Sequence, residues 1–251
     1  MATVFCFTST GNSLYTAQML AEHIDARVIP MNDKNMQCAD DVVGFVFPVY
    51  FLGLPHLVER FVTQMHIADK KAYAFAVTTS GGAVFGVLGE LKKILLSKGI
   101  LLSYGAKLTS TTTYIPKHEA HDSEALRRKN DQIILKIAEA IKIRKVNRIP
   151  ASTFINRISR NSCPNKSSDQ YFTIAPTCTG CMICQRICPT GNIRMDEGKP
   201  AFLHQCDHCL ACLQNCPAQA IDWNQKTQGK ARYRNAGVSL DDLISFKSGT
   251  A

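Results

Sequence analysis

Eight of the eleven cysteines fall between Cys178 and Cys216, in two arrays of identical spacing. The first is Cys178, Cys181, Cys184 and Cys188, followed by Pro189; the second is Cys206, Cys209, Cys212 and Cys216, followed by Pro217. Each reads C-x2-C-x2-C-x3-C-P, and the second repeats the first at a shift of 28 positions. Three thiolates two residues apart wrap one face of a metal–sulfur cube, where loop amides can reach its sulfurs. The fourth ligand must come from elsewhere. Structural zinc also uses paired C-x2-C ligands, but a triplet plus C-P, twice over, is not its habit. The spacing therefore predicts two [4Fe–4S] clusters, with eight cysteines as metal ligands. Gly180 and Ala211, between ligands, are expected to leave room for the cube. The repeat implies two halves related by a pseudo-twofold axis. His204 and His208 flank the second array, in a supporting role rather than as ligands.

A second constellation lies at the other end of the chain. Thr8-Ser9-Thr10-Gly11-Asn12-Ser13 gathers hydroxyls and backbone amides between a strand end and a helix start. Such a place binds anions, because amides point outward and the helix dipole favours negative charge. The segment holds no lysine or arginine. Neutral donors alone would have to hold a phosphate dianion. It lacks the G-x4-G-K-[ST] frame of a phosphotransferase loop, and the chain has no G-x-G-x-x-G dinucleotide fingerprint.

The elements that must position these residues read as alternating strands and helices over the first 147 residues. Buried strands are expected at Thr3–Thr8, Arg27–Pro30, Val42–Phe47, Ala72–Thr78 and Ile100–Leu108. Helices are expected at Ser13–Ala26, Pro55–His66, Ala83–Ser97 and His121–Val146. This is an α/β pattern with a five-stranded parallel sheet. Ligands in such sheets sit beyond the carboxyl ends of strands, which singles out Ser9–Asn12, Pro48–Leu54 and Thr79–Gly82. Residues 148–172 read as a linker, 173–224 as a small α+β cysteine domain and 225–251 as a tail. Ser239-Leu240-Asp241-Asp242 is expected to cap a final helix.

On these motifs the cysteine region resembles the bacterial two-cluster ferredoxins over about 50 residues, in which the fourth cysteine serves the other cluster. The resemblance implies one cluster on Cys178, Cys181, Cys184 and Cys216, and the other on Cys206, Cys209, Cys212 and Cys188. Residues 1–147 resemble the flavodoxins, whose T/S-x-T-G-N-T/S loop binds FMN. That resemblance assigns Thr8, Ser9, Thr10, Gly11, Asn12 and Ser13 to the phosphate. It assigns Pro48, Val49, Tyr50 and Phe51 to a ring-stacking loop, with Tyr50 as the stacking candidate. Thr79, Ser80, Gly81 and Gly82 would approach the reactive edge, where glycine permits close contact. The whole chain looks like a flavodoxin–ferredoxin fusion.

Composition bounds the rest. The 251 residues are 45% hydrophobic and 20% charged, which suits a folded chain with a normal core. No apolar run approaches the roughly 18 residues of a membrane span, and no basic leader precedes Phe5, so no membrane and a cytoplasmic setting are expected. The formal charge of +9 invites nucleic acid, yet each cluster brings roughly −2 and a flavin phosphate about as much, so none is expected. Cys6 reads as a packing residue; Cys38 and Cys163 lie in polar segments.

The resemblance implies electron transfer between two [4Fe–4S] clusters and FMN, with a redox protein as donor or acceptor in an anaerobic setting. A homodimer would serve if FMN and the nearer cluster of one chain lay too far apart. The alternative is a ferredoxin-dependent flavin reductase acting on a quinone, nitro compound or similar acceptor, with His56 and His118 as proton donors. A third reading is an oxygen sensor. The electron-carrier reading leaves no catalytic residue to assign. Lys92, Lys93, Lys98 and Lys142–Arg148 form a basic face suited to an acidic redox partner. Lys230–Arg234 is a candidate cover for the flavin.

Overall fold

Strands buried on both faces need apolar side chains on both, and the core follows that demand. Val4, Val43, Phe45, Val46, Ala74, Phe75, Ala76 and Val77 are wholly enclosed. The computed structural model describes residues 1–82, 86–116, 124–151 and 166–249. Two units divide the chain: Met1–Thr8, Asn12–Ser110 and Ser123–Cys163 make the first; Ser9–Gly11, Thr111–Asp122 and Pro164–Ala251 make the second.

In the first unit, β1 (Ala2–Cys6), α1 (Asn12–Ile24), β2 (Ala26–Pro30), β3 (Gln37–Cys38) and β4 (Val42–Pro48) come first. Then follow α2 (His56–Gln64), β5 (His66–Ile67), β6 (Tyr73–Ser80), α3 (Val87–Ser97), β7 (Leu102–Thr109) and α4 (Glu124–Lys142). The main sheet is parallel with order β2-β1-β4-β6-β7. Counting only its own strands, this is 2-1-3-4-5, the flavodoxin-like order. Phe5 stacks on Phe45 at 6.1 Å and tilts against Phe61 at 5.2 Å. Gly44 is glycine because the ring of Phe75, its partner in register, occupies the space of a Cβ.

The small pair β3–β5 was not expected, and it buries Cys38, which the sequence placed in a polar segment. Burial raises the thiol's pKa there. Cys6 is also enclosed, with its pKa driven far up by burial. His118 and Cys163 lie outside the described residues, as do the starts expected for the helices at Ala83 and His121.

The second unit is built on the repeat. A 3-10 turn (Lys166–Tyr171) leads into β8 (Phe172–Ile174), then α5 (Ile183–Ile187), β9 (Ile193–Asp196), β10 (Lys199–Phe202), α6 (Ala211–Gln214), β11 (Ile221–Trp223) and α7 (Leu240–Ser248). β8 pairs antiparallel with β11, and β9 with β10. A shift of 28 positions carries β8 onto β10 and β9 onto β11, so the two strand pairs exchange under the repeat.

Two segments differ from expectation in this unit. The end of the stretch read as linker, 148–172, is an ordered part of the second unit: Ser168, Asp169 and Phe172 are buried. The stretch read as a tail, 225–251, is tied in through Lys230 Nζ to Ile115 O (2.9 Å) and Tyr233 N to Gln214 Oε1 (2.8 Å). The final helix carries its expected N-cap: Asp242 N donates to Ser239 Oγ and Ser239 N to Asp242 Oδ2.

Candidate functional site

The cysteine arrays fold alike because their backbones make the same turns. Met182 and Leu210 sit at φ 64° and 60°, each as the cap of the short helix that carries the third cysteine, Cys184 or Cys212. Gly180 and its counterpart His208 share positive φ, as do Gly191 and Gln219. The fourth cysteines match too: Asn192 N donates to Cys188 Sγ at 3.3 Å, and Ala220 N to Cys216 Sγ at 3.4 Å. Amide donors of this kind stabilise a ligating thiolate and tune a cluster.

One cavity in this unit is lined by Cys178, Cys181, Cys184 and Cys216, with Ile183, Met195, Pro217 and Ile221 among its apolar wall. The triplet of the first array and the last cysteine of the second therefore share one chamber. Electrostatic neighbours divide the thiols along the same lines. Cys184 is pushed up to about 11, by burial first and then by Cys181, Cys216 and Cys178. Cys206 is pushed up to about 12, again by burial first, and then by Cys188, Asp169 and Asp207, against the amide of His208. Cys209 and Cys212 lie well above the ordinary thiol range, from burial and then from Cys188 and their own array. Thiols so held are neutral until a cation compensates them, and bound iron is such a cation. Among the described residues, no three His, Cys, Asp or Glu side chains converge as on a single ion.

Ile193 and Ile221, the matching isoleucines, pack with Phe172, Leu210, Leu213 and the buried cysteines in one apolar cluster. Gly180 lines the cysteine chamber and has a second reason to be glycine. A Cβ there would lie 2.8 Å from the carbonyl oxygen of Gly198, and its φ is +67°. His208, its counterpart, is enclosed: its ring lies 4.9 Å from Trp223, 6.3 Å from Phe172 and 6.0 Å from Tyr114. Burial lowers its pKa to about 4, which keeps it neutral. His204 is tied elsewhere: its Nδ1 lies 2.7 Å from Asp169 Oδ1. Asn192 Nδ2 (2.8 Å) and His204 N (3.0 Å) donate to the other oxygen of that enclosed carboxylate. Sequence reasoning missed this network, because Asp169 fell in a stretch with no periodic pattern.

Of the proposed phosphate-loop residues, Ser9, Thr10 and Ser13 are buried. In the first unit, Ser13 Oγ lies 2.8 Å from Thr79 Oγ1, and Val49 N donates to Thr79 O at 3.0 Å. The first turn of α1 and the residue that follows β4 thus meet at Thr79, near the end of β6. Tyr50 packs edge-on against Phe7 at 5.8 Å and closes a tight turn with Gly53 through hydrogen bonds of 3.2 and 2.8 Å. Phe51 and Leu52 within that turn adopt φ 47° and 61°, a strained choice for bulky residues. Pro48 pairs with Thr79 in the sheet. Ser80 Oγ bonds both Gly82 N (3.2 Å) and Gly82 O (3.1 Å), with Gly81 and Gly82 exposed. Thr8 and Asn12 stand at either side of the Ser9–Gly11 segment.

In the second unit, Ser9–Gly11 has partners of its own. Asn215 Nδ2 donates to Ser9 O (3.4 Å) and Asn235 N to Thr10 O (2.8 Å). Gly11 has φ +94°, and a Cβ on it would press within 3.1 Å of Asn235 and Val238. The tail therefore touches this loop, through Asn235 and Val238 rather than through Lys230–Arg234.

Fold and cysteine site together define a flavodoxin-like α/β domain joined to a small iron–sulfur domain. Residues 177–221 match the 4Fe-4S dicluster domain family, and they follow a domain with the flavodoxin-like strand order. Solved structures similar to the N-terminal half include a putative flavoprotein from Bacteroides uniformis, at 17% identity. It covers 51% of this chain and 96% of that one, with TM-score 0.34. The flavodoxin of Megasphaera elsdenii is 14% identical over 43% of this chain and 85% of its own, with TM-score 0.34. The Trp repressor binding protein of Bacillus subtilis is 14% identical over 56% and 96%, with TM-score 0.40. The fold assignment rests on strand order, not on these likenesses. No curated protein matches the sequence. Among the described residues, no helix is long and apolar enough to cross a membrane.

Proposed function

We propose that this chain is an electron-transfer protein that passes electrons between two [4Fe–4S] clusters and FMN. The observation that carries this reading is the chamber shared by Cys178, Cys181, Cys184 and Cys216, which joins the two arrays crosswise. Those four would hold one cluster; Cys206, Cys209, Cys212 and Cys188 would hold the other. The thiols fit the group: Cys184, Cys188 and Cys212 are buried, and the amides of Asn192 and Ala220 donate to Cys188 and Cys216. Clusters exchange single electrons and FMN exchanges one or two, so the set matches a one-electron donor to a two-electron step.

The flavin loops also have the right donors. Ser9, Thr10 and Ser13 supply hydroxyls in the stretch of sequence that leads into α1, whose first turn has no acidic residue to repel a phosphate. Thr8, Gly11 and Asn12 would complete that phosphate loop. Pro48, Val49, Tyr50 and Phe51 would flank the ring, and Thr79, Ser80, Gly81 and Gly82 would border its edge. A redox protein is the expected partner, and the exposed cations Lys93 and Lys142–Lys145, on the first unit, suit an acidic one.

The test is anaerobic single-turnover reduction by a low-potential donor, followed at cluster and flavin wavelengths. Cluster bleaching followed by flavin reduction is expected, without sustained turnover of small acceptors. Rapid multi-turnover reduction of a quinone or nitro compound would replace the carrier with a reductase. Clusters that bleach while flavin stays oxidised would contradict the reading.

A further inference from the structure

Arg232 lies in the stretch that sequence alone marked as a tail, yet its guanidinium is driven into the cysteine unit. Its Nη2 donates to Ile221 O at 3.0 Å. Ile221 itself walls the chamber of Cys178, Cys181, Cys184 and Cys216. The other guanidinium positions, Nε and Nη1, are enclosed and have no hydrogen-bond partner among the described residues. A buried charged donor without an acceptor is costly, and native chains keep few. Asp222 is engaged by the amide of Thr227 (2.8 Å) and by its hydroxyl. The chamber that Ile221 walls is lined by cysteine sulfur. Burial lowers the guanidinium's pKa, against which the ionised forms of Cys216, then Asp222, then Cys212 would raise it. The other arginines of the cysteine arrays, Arg186 and Arg194, are exposed, as is Arg234.

We propose that Arg232 is a positioning residue for the cluster that Cys178, Cys181, Cys184 and Cys216 would hold, with its charge and its two buried N–H donors directed at that cluster's sulfur shell. This rests on the two-cluster reading above. Reduction adds one electron and so one negative charge to the cluster. A fixed cation beside it stabilises the reduced form more than the oxidised form and raises the reduction potential. The geometry ties Arg232 to the first cluster, because the carbonyl it holds belongs to Ile221, which walls that chamber; the second cluster would feel the charge through Cys212. The two clusters, near-equal by repeat, would be set apart in potential by a residue that the repeat does not contain.

The experiment is an EPR-monitored redox titration of the anaerobically loaded full chain, with iron counted first. Arg232→Met should weaken reduction of one cluster at least tenfold in its equilibrium constant, about 59 mV for a one-electron couple. The other cluster should move less, and Arg232→Lys should restore part of the shift. Unchanged potentials in a fully loaded Arg232→Met protein would overturn the proposal and assign the enclosed N–H groups to ordered water. If Arg232→Met fails to load, wild-type protein labelled with 15N-arginine decides: pulsed EPR of the reduced cluster should show 15N coupling, and its absence would overturn the proposal. A wild-type chain without iron would instead fail the two-cluster reading itself.

Discussion

Ser13 and Thr79, sixty-six positions apart, face each other hydroxyl to hydroxyl at 2.8 Å in a buried pocket of the first unit. Thr79 also receives the amide of Val49, so one residue near the end of β6 holds both the start of α1 and the residue after β4. Thr79→Val would leave Ser13 buried beside a methyl group, at a cost of about 1–3 kcal/mol. Ser13→Ala combined with Thr79→Val should cost less than the sum of the single changes, because both partners then leave together. Urea unfolding of the four proteins measures this; strict additivity would deny the coupling.

Gly180 and Gly191 separate two uses of glycine. Both have positive φ, but only at Gly180 does a Cβ meet backbone, the Gly198 carbonyl oxygen. Gly180→Ala should therefore lower stability by at least about 1–3 kcal/mol and cost bound iron. Gly191→Asn should be mild, since its counterpart Gln219 already tolerates φ 47°. Thermal unfolding and iron retention would show the contrast, and equal effects would contradict it.

The first unit carries an acid-sensitive link. Asp40 is held below the usual carboxylate range chiefly by the hydroxyl of Thr3, and also by Arg27 at 3.1 Å, against burial, which acts upward. A depressed folded pKa stabilises the protein above the unfolded value of about 3.9. That contribution shrinks as pH falls from there through the lower folded value. Asp40→Asn should flatten the acid limb of stability. Urea unfolding of iron-free protein between about pH 3 and 6 tests it; parallel acid limbs in both proteins would count against the link.

If ligation is crossed as proposed, the fourth cysteines are diagnostic. Cys216→Ser should disturb the cluster of Cys178, Cys181 and Cys184, while Cys188→Ser should disturb that of Cys206, Cys209 and Cys212. Each variant should lose up to about four of about eight irons, from different clusters. EPR of the reduced variants identifies the survivor. Two variants that lose the same cluster would argue for uncrossed halves.

The sheet and the cysteine repeat were legible because each leaves a local mark. Strands buried on both faces appear as unbroken apolar runs, as at Val42–Phe47, and ligand spacing survives in the chain itself. Long-range features left no such mark. The two-residue strands Gln37–Cys38 and His66–Ile67 are too short to show a period, so the burial of Cys38 went unseen. Gly180 was legible as a required glycine but not for its second reason, since Gly198 approaches only when β9 and β10 pair. Asp169 and Arg232 gain their surroundings from partners 23 and 11 positions away, in stretches without pattern.

The most direct measurement is anaerobic purification of the full chain, with iron, sulfide and released flavin counted beside its visible spectrum. The account predicts about eight irons, about eight sulfides and one FMN per chain, with broad cluster absorbance overlaid by flavin bands. Zinc in place of iron, or eight irons without flavin, would contradict it.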